Sequence, residues 1–378
     1  MNKYNNSRRK FLYDLGLAGL SIPFLSAEAN CNNQKSNPGT MTNKNKAAGK
    51  LGIALVGLGN YAGGQLAPAL QQTEHCYLSG IVTGTPSKID TWRNKYNIPE
   101  KNVYNYQTFD SIKDNPDIDI IYIVLPNSMH AEYVIRAAAT GKQVICEKPM
   151  ALSVEDCDKM IAACKKAGKM LSVGYRLHFE PYNLEMARLG TQKIYGDIKK
   201  MSAGFGFTIG DPTQWRLKKD MAGGGPLQDL GIYCIQGFCY TTGMEPIAVT
   251  AQEGPKTDLE KFKEVEQSIS WQFEMPNGTI CEGKASYSDG MNFLKAETEK
   301  GIFEINPAFN YGGQKGYTPE GAMNFPNVNQ QAKQMDAFAL SVKNNQPTIV
   351  PGEMGRRDVK LIVAIYEAMR TGKKVMIK

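Results

Sequence analysis

Short apolar runs alternate with helical patterns over the first half of the folded chain. Five runs are rich in β-branched residues, which is typical of strands buried on both faces. These runs are 51–56, 78–83, 118–125, 144–146 and 170–173. Ser153 is expected to cap one of the intervening helices, and Gly141 and Gly168 to end two of them. The alternation predicts right-handed βαβ units and a doubly wound parallel sheet of the Rossmann α/β class.

The second half of the chain has a different pattern. Alternating apolar and polar residues, bounded by turn residues, predict further strands, and Pro276-Asn277-Gly278 predicts a hairpin turn. Two amphipathic segments predict helices that pack against the first domain and the sheet. The strands are predicted at 249–253, 265–274, 279–286 and 294–299, and the helices at 329–343 and 356–371. We therefore predict a Rossmann domain over 50–174 and a second domain of strands and helices over 175–378.

A glycine-rich turn follows the first predicted strand. Gly57-Leu58-Gly59-Asn60-Tyr61-Ala62 has the form GxGxxA, and a helix is predicted over 61–72. In the order strand, tight turn and helix, such glycines let the backbone approach a pyrophosphate at the helix N-terminus. We predict that Gly57, Gly59, Asn60 and Tyr61 bind a dinucleotide. The alternative is a glycine turn that only packs.

The end of the second strand bears on which nicotinamide cofactor is bound. NAD-binding domains place a carboxylate about 20 residues after the glycine motif, where it binds the ribose hydroxyls. This chain instead reads Thr83-Gly84-Thr85-Pro86-Ser87-Lys88, whose hydroxyls and lysine suit a 2′-phosphate. We predict NADP, bound in part by Thr83 and Lys88, and keep NAD as the alternative. The alternative is an ordinary turn in which Lys88 is solvated and has no role in cofactor binding.

Polar residues also follow the runs 118–125 and 144–146. Ligands of open α/β sheets bind at the carboxyl ends of the strands. We therefore expect Asn127 and His130, with Leu125, to lie on the nicotinamide side, although a helix N-cap explains Asn127 or Ser128 equally well.

The run 144–146 leads directly into Glu147-Lys148-Pro149. Because proline cannot continue the sheet hydrogen bonds, Lys148 is expected to point into the crevice rather than along the sheet. Glu147 and Lys148 are also assigned to the cofactor site.

Asp229 and Tyr233 form the second group of candidate catalytic residues. Gly223-Gly224-Gly225-Pro226 predicts a loop, and residues 228–240 a helix. Asp229 and Tyr233 are spaced i and i+4 and so share one helix face. A neighbouring ammonium stabilises a phenolate, which would make Tyr233 a usable base for a sugar hydroxyl. Asp229 would accept a hydrogen bond from the substrate or hold Lys148 in place.

Further candidates lie at the predicted domain junction and in one loop. Arg176, after Tyr175, is assigned to the cofactor, and His178 to the substrate with a structural role as the alternative. Trp215 and Arg216 are assigned to the substrate, since a tryptophan face packs well on a pyranose ring or on nicotinamide. The alternative for Trp215 is a core anchor.

The charge distribution argues against nucleic-acid binding. The net charge is +7, but residues 1–50 contain eight Lys/Arg and two Asp/Glu, whereas the rest contains 36 Lys/Arg and 35 Asp/Glu. The folded part is therefore nearly neutral. The eight cysteines form no CxxC pair and no zinc-type spacing with histidine, so no metal site is predicted.

The first fifty residues predict export. Ser7-Arg8-Arg9-Lys10-Phe11-Leu12 matches the twin-arginine pattern, and Ala27-Glu28-Ala29 fits a cleavage site. We predict a signal peptide over 1–29, a polar linker or arm over 30–49, and a periplasmic protein. A membrane anchor is disfavoured because Asp14 and Pro23 interrupt a run shorter than a span needs. Lipidation at Cys31 is disfavoured by Asn30 before it.

Motifs along residues 50–378 resemble the glucose–fructose oxidoreductase/inositol dehydrogenase (Gfo/Idh/MocA) family. They are GLGNYA, LPNSMHAEY, CEKPMAL, GYRLHFEPYN, QWRL, AGGGPLQDLGIY and PGEMGRRDVKLIVAIYEAMRTGKKV. The resemblance implies an N-terminal Rossmann domain and a C-terminal α+β domain with a large open, mainly antiparallel sheet used in oligomer contacts. It also implies a catalytic Lys148, with Asp229 and Tyr233 in the acid/base positions. Pro226, Gln228 and Cys234 depart from the family pattern, which bears on the identity of the substrate.

The resemblance implies an NADP-dependent oxidoreductase of a sugar or related polyol, with a tightly held cofactor and a homo-oligomeric assembly, a dimer or tetramer. Two alternatives stay open. One is an NAD-dependent redox-cycling glycoside hydrolase of the same fold, although such relatives tend to carry a different loop in place of AGGGPLQDLGIY. The other is a sugar-binding relative without catalysis, which the presence of Lys148, Asp229 and Tyr233 disfavours.

Overall fold

The computed structural model of the chain describes residues 44–46 and 48–377. The predicted signal peptide, most of the 30–49 arm and Cys31 lie outside the described residues. Among the helices that are described, none is both long and apolar enough to cross a membrane. The first described turn is fastened to the folded body, because Lys46 forms an ion pair of 2.8 Å with Asp119.

The first half forms a six-stranded, fully parallel sheet in the order β3-β2-β1-β4-β5-β6. The strands are β1 Leu51–Val56, β2 Cys76–Val82, β3 Val103–Tyr104, β4 Ile120–Ile123, β5 Gln143–Cys146 and β6 Leu171–Val173. Nearly every residue of these strands is buried, as continuous apolar runs predict. The order is that of the doubly wound Rossmann fold, so the predicted fold class is confirmed.

Helices cover both faces of this sheet. They are Ala67–Ala69, Ile89–Tyr96, His130–Ala139 and Val154–Lys166, with short 3-10 turns at Pro86–Lys88, Glu100–Asn102, Phe109–Asp114 and Asn127–Met129. Ser153 caps its helix by accepting the Asp156 N–H at 3.1 Å. Gly141 and Gly168 follow helix ends with φ of +73° and +65°.

The helix after β1 differs from the expected 61–72. It opens with a π-helical turn, Ala62–Leu66, and ends at Ala69. Pro68 has no N–H to donate to the Gly64 carbonyl, so one regular α-helical bond is missing in this stretch.

The second half forms a nine-stranded mixed sheet in the order β14-β13-β12-β11-β7-β10-β9-β8-β15. Its strands are β7 Ile198–Gly206, β8 Ala248–Glu253, β9 Ser268–Glu274, β10 Ile280–Ser286, β11 Met291–Thr298, β12 Gly301–Ile305, β13 Gly316–Thr318, β14 Gly321–Ala322 and β15 Val375–Met376. Only β7 and β10 pair in parallel, and the other pairs are antiparallel. The mainly antiparallel sheet is thus confirmed, and β9 and β10 form the predicted hairpin.

The helices of the second half join the two sheets. They are Pro181–Thr191, Lys219–Ala222, Ile232–Thr242, Gln330–Lys343 and Gly352–Thr371, with 3-10 turns at Arg176–Phe179 and Trp215–Leu217. The helix Gln330–Lys343 contacts β2, and its Met335 and Phe338 are buried in the same core cluster as Ile53 and Leu55 of β1. The helix Gly352–Thr371 packs on Val154–Lys166 and on β8.

The parallel sheet places three strand ends side by side. Val56 pairs with Ile123, and Ile123 pairs with Cys146, so β1, β4 and β5 end at one edge. The glycine turn, residues 124–130 and Lys148 therefore leave the sheet together. Because β1 lies between β2 and β4 while successive connections run to opposite sides, this edge is the topological switch point of the sheet.

Candidate active site

Lys148 is the centre of the candidate site. Its ammonium donates to the backbone carbonyl of Asp229 at 2.6 Å and to Asp229 Oδ1 at 3.1 Å. The lysine side chain is only 12% exposed. Burial lowers the pKa of Lys148, but Tyr233, Asp229 and Glu147 outweigh it and raise that pKa above its ordinary value. Lys148 is therefore a cation at neutral pH.

Asp229 is held as an anion by three side chains. Besides Lys148, its carboxylate accepts a hydrogen bond from Arg216 Nε at 3.0 Å and another from the Tyr287 hydroxyl at 3.2 Å. Burial raises the pKa of this carboxyl, yet Lys148 and Arg216 lower it to about 2. Asp229 is thus a positioning residue that fixes the lysine and the arginine relative to each other.

Tyr233 stands beside two cations. The Lys148 ammonium lies 4.7 Å and the Arg176 guanidinium 4.8 Å from the centroid of its ring. Arg176 Nε donates to the Tyr233 hydroxyl oxygen at 3.3 Å. The cation nearest the hydroxyl is therefore Arg176, whereas Lys148 faces the ring. Two cations thus lie beside this side chain, one at the ring and one at the hydroxyl.

A π-helical turn brings Asp229 and Tyr233 to the same place. It covers Leu227–Gly231 and runs directly into the helix Ile232–Thr242. Both residues contact Lys148 across the domain junction, as their i and i+4 spacing predicts.

The glycine loop before this turn is fastened by Glu266. Its buried carboxylate accepts the N–H groups of Gly225 at 2.9 Å and Leu227 at 3.1 Å, and the Tyr366 hydroxyl at 2.8 Å. A Cβ on Gly224 would lie 1.9 Å from that hydroxyl, so the chain passes too close for any side chain there. The loop therefore sets where the Asp229 turn begins.

The glycine turn after β1 fits a dinucleotide. Gly57 has φ of +95°, and a Cβ there would lie 2.5 Å from the Val124 carbonyl oxygen. A Cβ on Gly59 would meet no described heavy atom within 4 Å, and Gly59 and Asn60 are exposed. Gly57 is thus required by the turn, whereas Gly59 leaves the backbone open to a ligand.

The turn after β2 contacts the glycine turn that follows β1. Lys88 Nζ donates to the Leu58 carbonyl at 2.8 Å, which ties that turn to the glycine turn. The buried Thr83 accepts the Thr85 N–H through its hydroxyl at 3.1 Å. Gly59, Asn60 and Tyr61 would hold a pyrophosphate here, and Lys88 would face the adenosine ribose.

Three residues predicted to lie on the nicotinamide side are buried in the structure. His130 is 0% exposed, and its ring nitrogens contact the Leu125 and Pro149 carbonyls, each at 2.9 Å. Asn127 donates its amide to the Ala222 carbonyl at 2.8 Å and makes no helix cap. Leu125 packs in the core with its side chain beside Gly57. These three residues shape the edge of the sheet from beneath.

Glu147 and Arg176, which are also predicted to bind the cofactor, are buried as well. Glu147 accepts the Tyr122 hydroxyl at 2.5 Å, and burial raises the pKa of its carboxyl. Arg176 is 2% exposed and donates to the Phe309 carbonyl at 2.5 Å. Arg176 acts on the site through Tyr233.

The predicted substrate residues separate into two groups. His178 packs among aromatic rings, with centroids 5.5 Å from Tyr240 and 6.1 Å from Tyr175, which is the structural alternative. Arg216 reaches the site through Asp229, and its guanidinium stacks 4.8 Å from the Trp215 ring. Trp215 is half-buried in a 3-10 turn and is not a core anchor.

Sequence reasoning missed Tyr287 and Tyr311. Tyr287 directly follows β10, and burial together with the Asp229 charge raises its pKa, so it stays a donor to Asp229. The sequence did place Tyr287 directly after a predicted strand, and this position could have marked it as a candidate site residue. Tyr311 lies 4.5 Å from the Arg176 guanidinium but comes from an irregular segment with no motif.

The fold and this site define a nicotinamide-dependent oxidoreductase of two domains. Residues 51–175 match the oxidoreductase family with an NAD-binding Rossmann fold, and residues 184–303 match the GFO/IDH/MocA C-terminal domain. Together they span well over half of the chain. The chain therefore belongs to the GFO/IDH/MocA family, and the predicted resemblance is confirmed.

Three individual proteins of known name are similar to this chain. The structure matches that of aldose–aldose oxidoreductase from Caulobacter crescentus complexed with glycerol, at a TM-score of 0.84 and 42% identity, over 86% of this chain and 99% of that one. D-xylose 1-dehydrogenase [NADP(+)] of Haloarcula marismortui is 25% identical over 339 residues, which cover 86% of this chain and 92% of that protein. Scyllo-inositol dehydrogenase from Lactobacillus casei shares the fold, at a TM-score of 0.73 and 20% identity over 87% and 98% of the two chains.

The two glycines of the turn after β1 should respond differently to alanine. Gly57→Ala forces a Cβ against a carbonyl at positive φ and should lower the free energy of unfolding by about 1–3 kcal/mol. Gly59→Ala should leave that free energy unchanged but weaken nucleotide binding, because its methyl group fills the open approach. Urea unfolding and NADPH titration measure the two effects. Equal stability losses in both variants would contradict the assignment.

Glu266→Gln should loosen the loop that leads to Asp229. The new amide NH₂ would face a donor, and leaving buried donors unpaired costs about 1–3 kcal/mol. Urea denaturation should show this loss. Glu282→Gln is the matched control, because Glu282 pairs with Lys200 on the surface of β10, where such pairs contribute about 0–1 kcal/mol. A Glu266→Gln protein as stable as the control variant would refute this role.

Proposed function

We propose that this protein is an NADP-dependent oxidoreductase that oxidises an aldose at C1 and passes the hydride to a second sugar. The observation that carries the proposal is the placement of Lys148 and Tyr233 together at the switch-point edge, next to the open glycine turn. This edge is where a nicotinamide and a carbohydrate hydroxyl would meet.

The substrate class is supported by the relatives. A protein 42% identical over nearly its whole length is named an aldose–aldose oxidoreductase. A second relative is named a D-xylose 1-dehydrogenase. Both names describe oxidation of a sugar, and the first describes transfer between two aldoses.

The site residues suit proton transfer at the sugar O1. Tyr233, as phenolate, takes the O1 proton while the C1–H bond breaks and the C1–O1 bond becomes a carbonyl, which leaves a lactone. A nicotinamide dinucleotide held at Gly59, Asn60 and Tyr61 would supply the hydride acceptor for this oxidation and the hydride donor for reduction of the second sugar. Tyr233 then gives its proton to the carbonyl oxygen of the second sugar, so that electrons and protons balance over the cycle.

Lys148 supplies the electrostatic part of this chemistry. An ammonium has three N–H bonds, and within the described residues two of them are directed at Asp229 oxygens. The third is left for the sugar O1, where it polarises the bond that Tyr233 deprotonates. Asp229 neutralises part of the positive charge of Lys148 and Arg216 and keeps both in place.

The preference for NADP rests on the turn after β2. It carries no acidic residue between Thr83 and Lys88, so nothing in that turn repels a 2′-phosphate. Lys88 is exposed next to the glycine turn and is bonded to the Leu58 carbonyl. The NADP(+) in the name of the Haloarcula relative supports the same choice.

Export and tight cofactor binding fit this proposal. The twin-arginine pattern around Arg8 and Arg9 leads to a compartment without free nicotinamide nucleotides, and this pathway carries folded proteins. A protein that regenerates its own cofactor with a second sugar suits that setting. The proposal includes a homo-oligomer, as the open sheet of the second domain suggests for this family.

The first test uses purified protein without added nucleotide. Excess glucose or xylose should produce one stoichiometric rise of the reduced-nicotinamide absorbance band, which then stalls because no acceptor is present. A second aldose, or fructose, should reverse the rise. If cofactor is released on denaturation but no sugar changes the band, sugar oxidation is refuted, and cleavage of aryl glycosides is then the activity to measure.

Tyr233→Phe should lower the rate of that first reduction by about 10²–10⁴-fold, the range that a general base contributes. The variant should keep its bound cofactor, because the ring and its cation–π contacts with Lys148 and Arg176 remain and only the hydroxyl is lost. Tyr240→Phe is the control. Tyr240 lies on the same helix as Tyr233, and its hydroxyl donates to Asn183. Stopped-flow reduction by glucose measures both. Equal rates in the two variants would exclude Tyr233 as the base.

A further inference from the structure

One segment of the second domain reaches over the dinucleotide edge. It is the stretch 306–314 between β12 and β13, and it carries Tyr311. The Tyr311 ring lies 6.2 Å from the ring of Tyr61, which belongs to the first domain. Tyr311 is 48% exposed, so part of its side chain contacts the protein and part is accessible.

The backbone of this segment is fastened by polar side chains. Asn292 Oδ1 accepts the N–H groups of Ala308 at 2.8 Å and Phe309 at 2.7 Å. The Asn310 carbonyl accepts Gln330 Nε2 at 3.0 Å, Gln314 Nε2 at 2.6 Å and Arg176 at 3.1 Å. Asn310 directly precedes Tyr311. The position of Tyr311 is therefore preset rather than left to a free loop.

Tyr311 also contacts Arg176, which lies beside Tyr233 in the candidate active site. The Arg176 guanidinium lies between two rings, 4.5 Å from the centroid of Tyr311 and 4.8 Å from that of Tyr233. Tyr61 stands two residues after Gly59, where the pyrophosphate would be held. Tyr311 thus contacts one residue of the glycine turn and one residue beside Tyr233, the two places between which a nicotinamide dinucleotide would lie.

We propose that Tyr61 and Tyr311 form an aromatic clasp across the crevice that retains the dinucleotide and slows its release. The clasp rests on the proposed function in that it needs a bound nicotinamide dinucleotide, but not on any particular sugar. Retention of the cofactor between two half-reactions is what a sugar-to-sugar cycle requires. The clasp uses the rings, whereas the Tyr311 hydroxyl contributes nothing to retention.

The ring and the hydroxyl can be separated by substitution. Tyr311→Ala removes the ring, and Tyr311→Phe keeps it. Burial and the neighbouring Tyr233 raise the pKa of Tyr311 to about 12, so its hydroxyl is protonated at neutral pH. Tyr317→Ala is the matched control, because Tyr317 lies nearby on β13 and is 50% exposed.

The test measures nucleotide release without any sugar. Each protein is loaded with NADPH and mixed with excess NADP⁺, and the loss of bound-nicotinamide fluorescence gives the dissociation rate. Tyr311→Ala should release NADPH at least about tenfold faster than the wild type, while Tyr311→Phe and Tyr317→Ala stay within about twofold. Tyr61→Ala should also release faster, and the double alanine variant no faster than the faster single variant, because both remove one contact.

Other results overturn the clasp. Release from Tyr311→Ala at the wild-type rate would do so, as would Tyr311→Phe releasing as fast as Tyr311→Ala. Failure of the proposed function gives a different pattern: NADPH release depends on Tyr311 as described, but no aldose reduces the bound NADP⁺. The two hypotheses therefore fail separately.

Discussion

The contact between Lys148 and Asp229 is the interaction on which the site depends. The lysine leaves the parallel sheet at the end of β5, and the aspartate comes from the helical turn above the mixed sheet. Removing such a pair from water costs several kcal/mol for each ion, which good geometry and further hydrogen bonds must offset. Arg216 and Tyr287 provide those bonds to the second carboxylate oxygen. The pair is thus stable only when both domains are in place, so the fold and the chemistry are assembled together.

Much of the fold was predictable because its signals are local. β1 and β5 were predictable because strands that are buried along their length appear in the sequence as continuous apolar runs. Ser153 caps its helix, as the sequence predicts. β7 was missed, although it lies at the centre of the mixed sheet. Its Gly204 is covered by Phe293 and Met291 from β11, which fill the space where its own side chain would stand. The apolar pattern of β7 is therefore weak, because Gly204 supplies no side chain and Lys199 and Lys200 separate Ile198 from Met201.

The site was predictable where side chains follow strands or share a helix face, as Lys148, Asp229 and Tyr233 do. It was not predictable where burial decides the role. His130 and Asn127 occupy the expected edge, yet both ring nitrogens of His130 and the amide nitrogen of Asn127 bond to backbone carbonyls. Nothing local in the sequence distinguishes a polar group that faces a ligand from one that satisfies a buried carbonyl. The same limit hid Tyr311, whose position depends on contacts with distant residues.

Arg176 shows how one buried charge connects these parts. Its guanidinium donates to carbonyls of the 306–314 segment, to Gln330 of the helix on the parallel sheet, and to the Tyr233 hydroxyl. A buried cation requires several acceptors, and here those acceptors come from three separate stretches of chain. Satisfying the arginine therefore fixes the segment that carries Tyr311 and the Tyr233 side chain at the same time. The base and the aromatic clasp that we propose thus depend on the same buried charge.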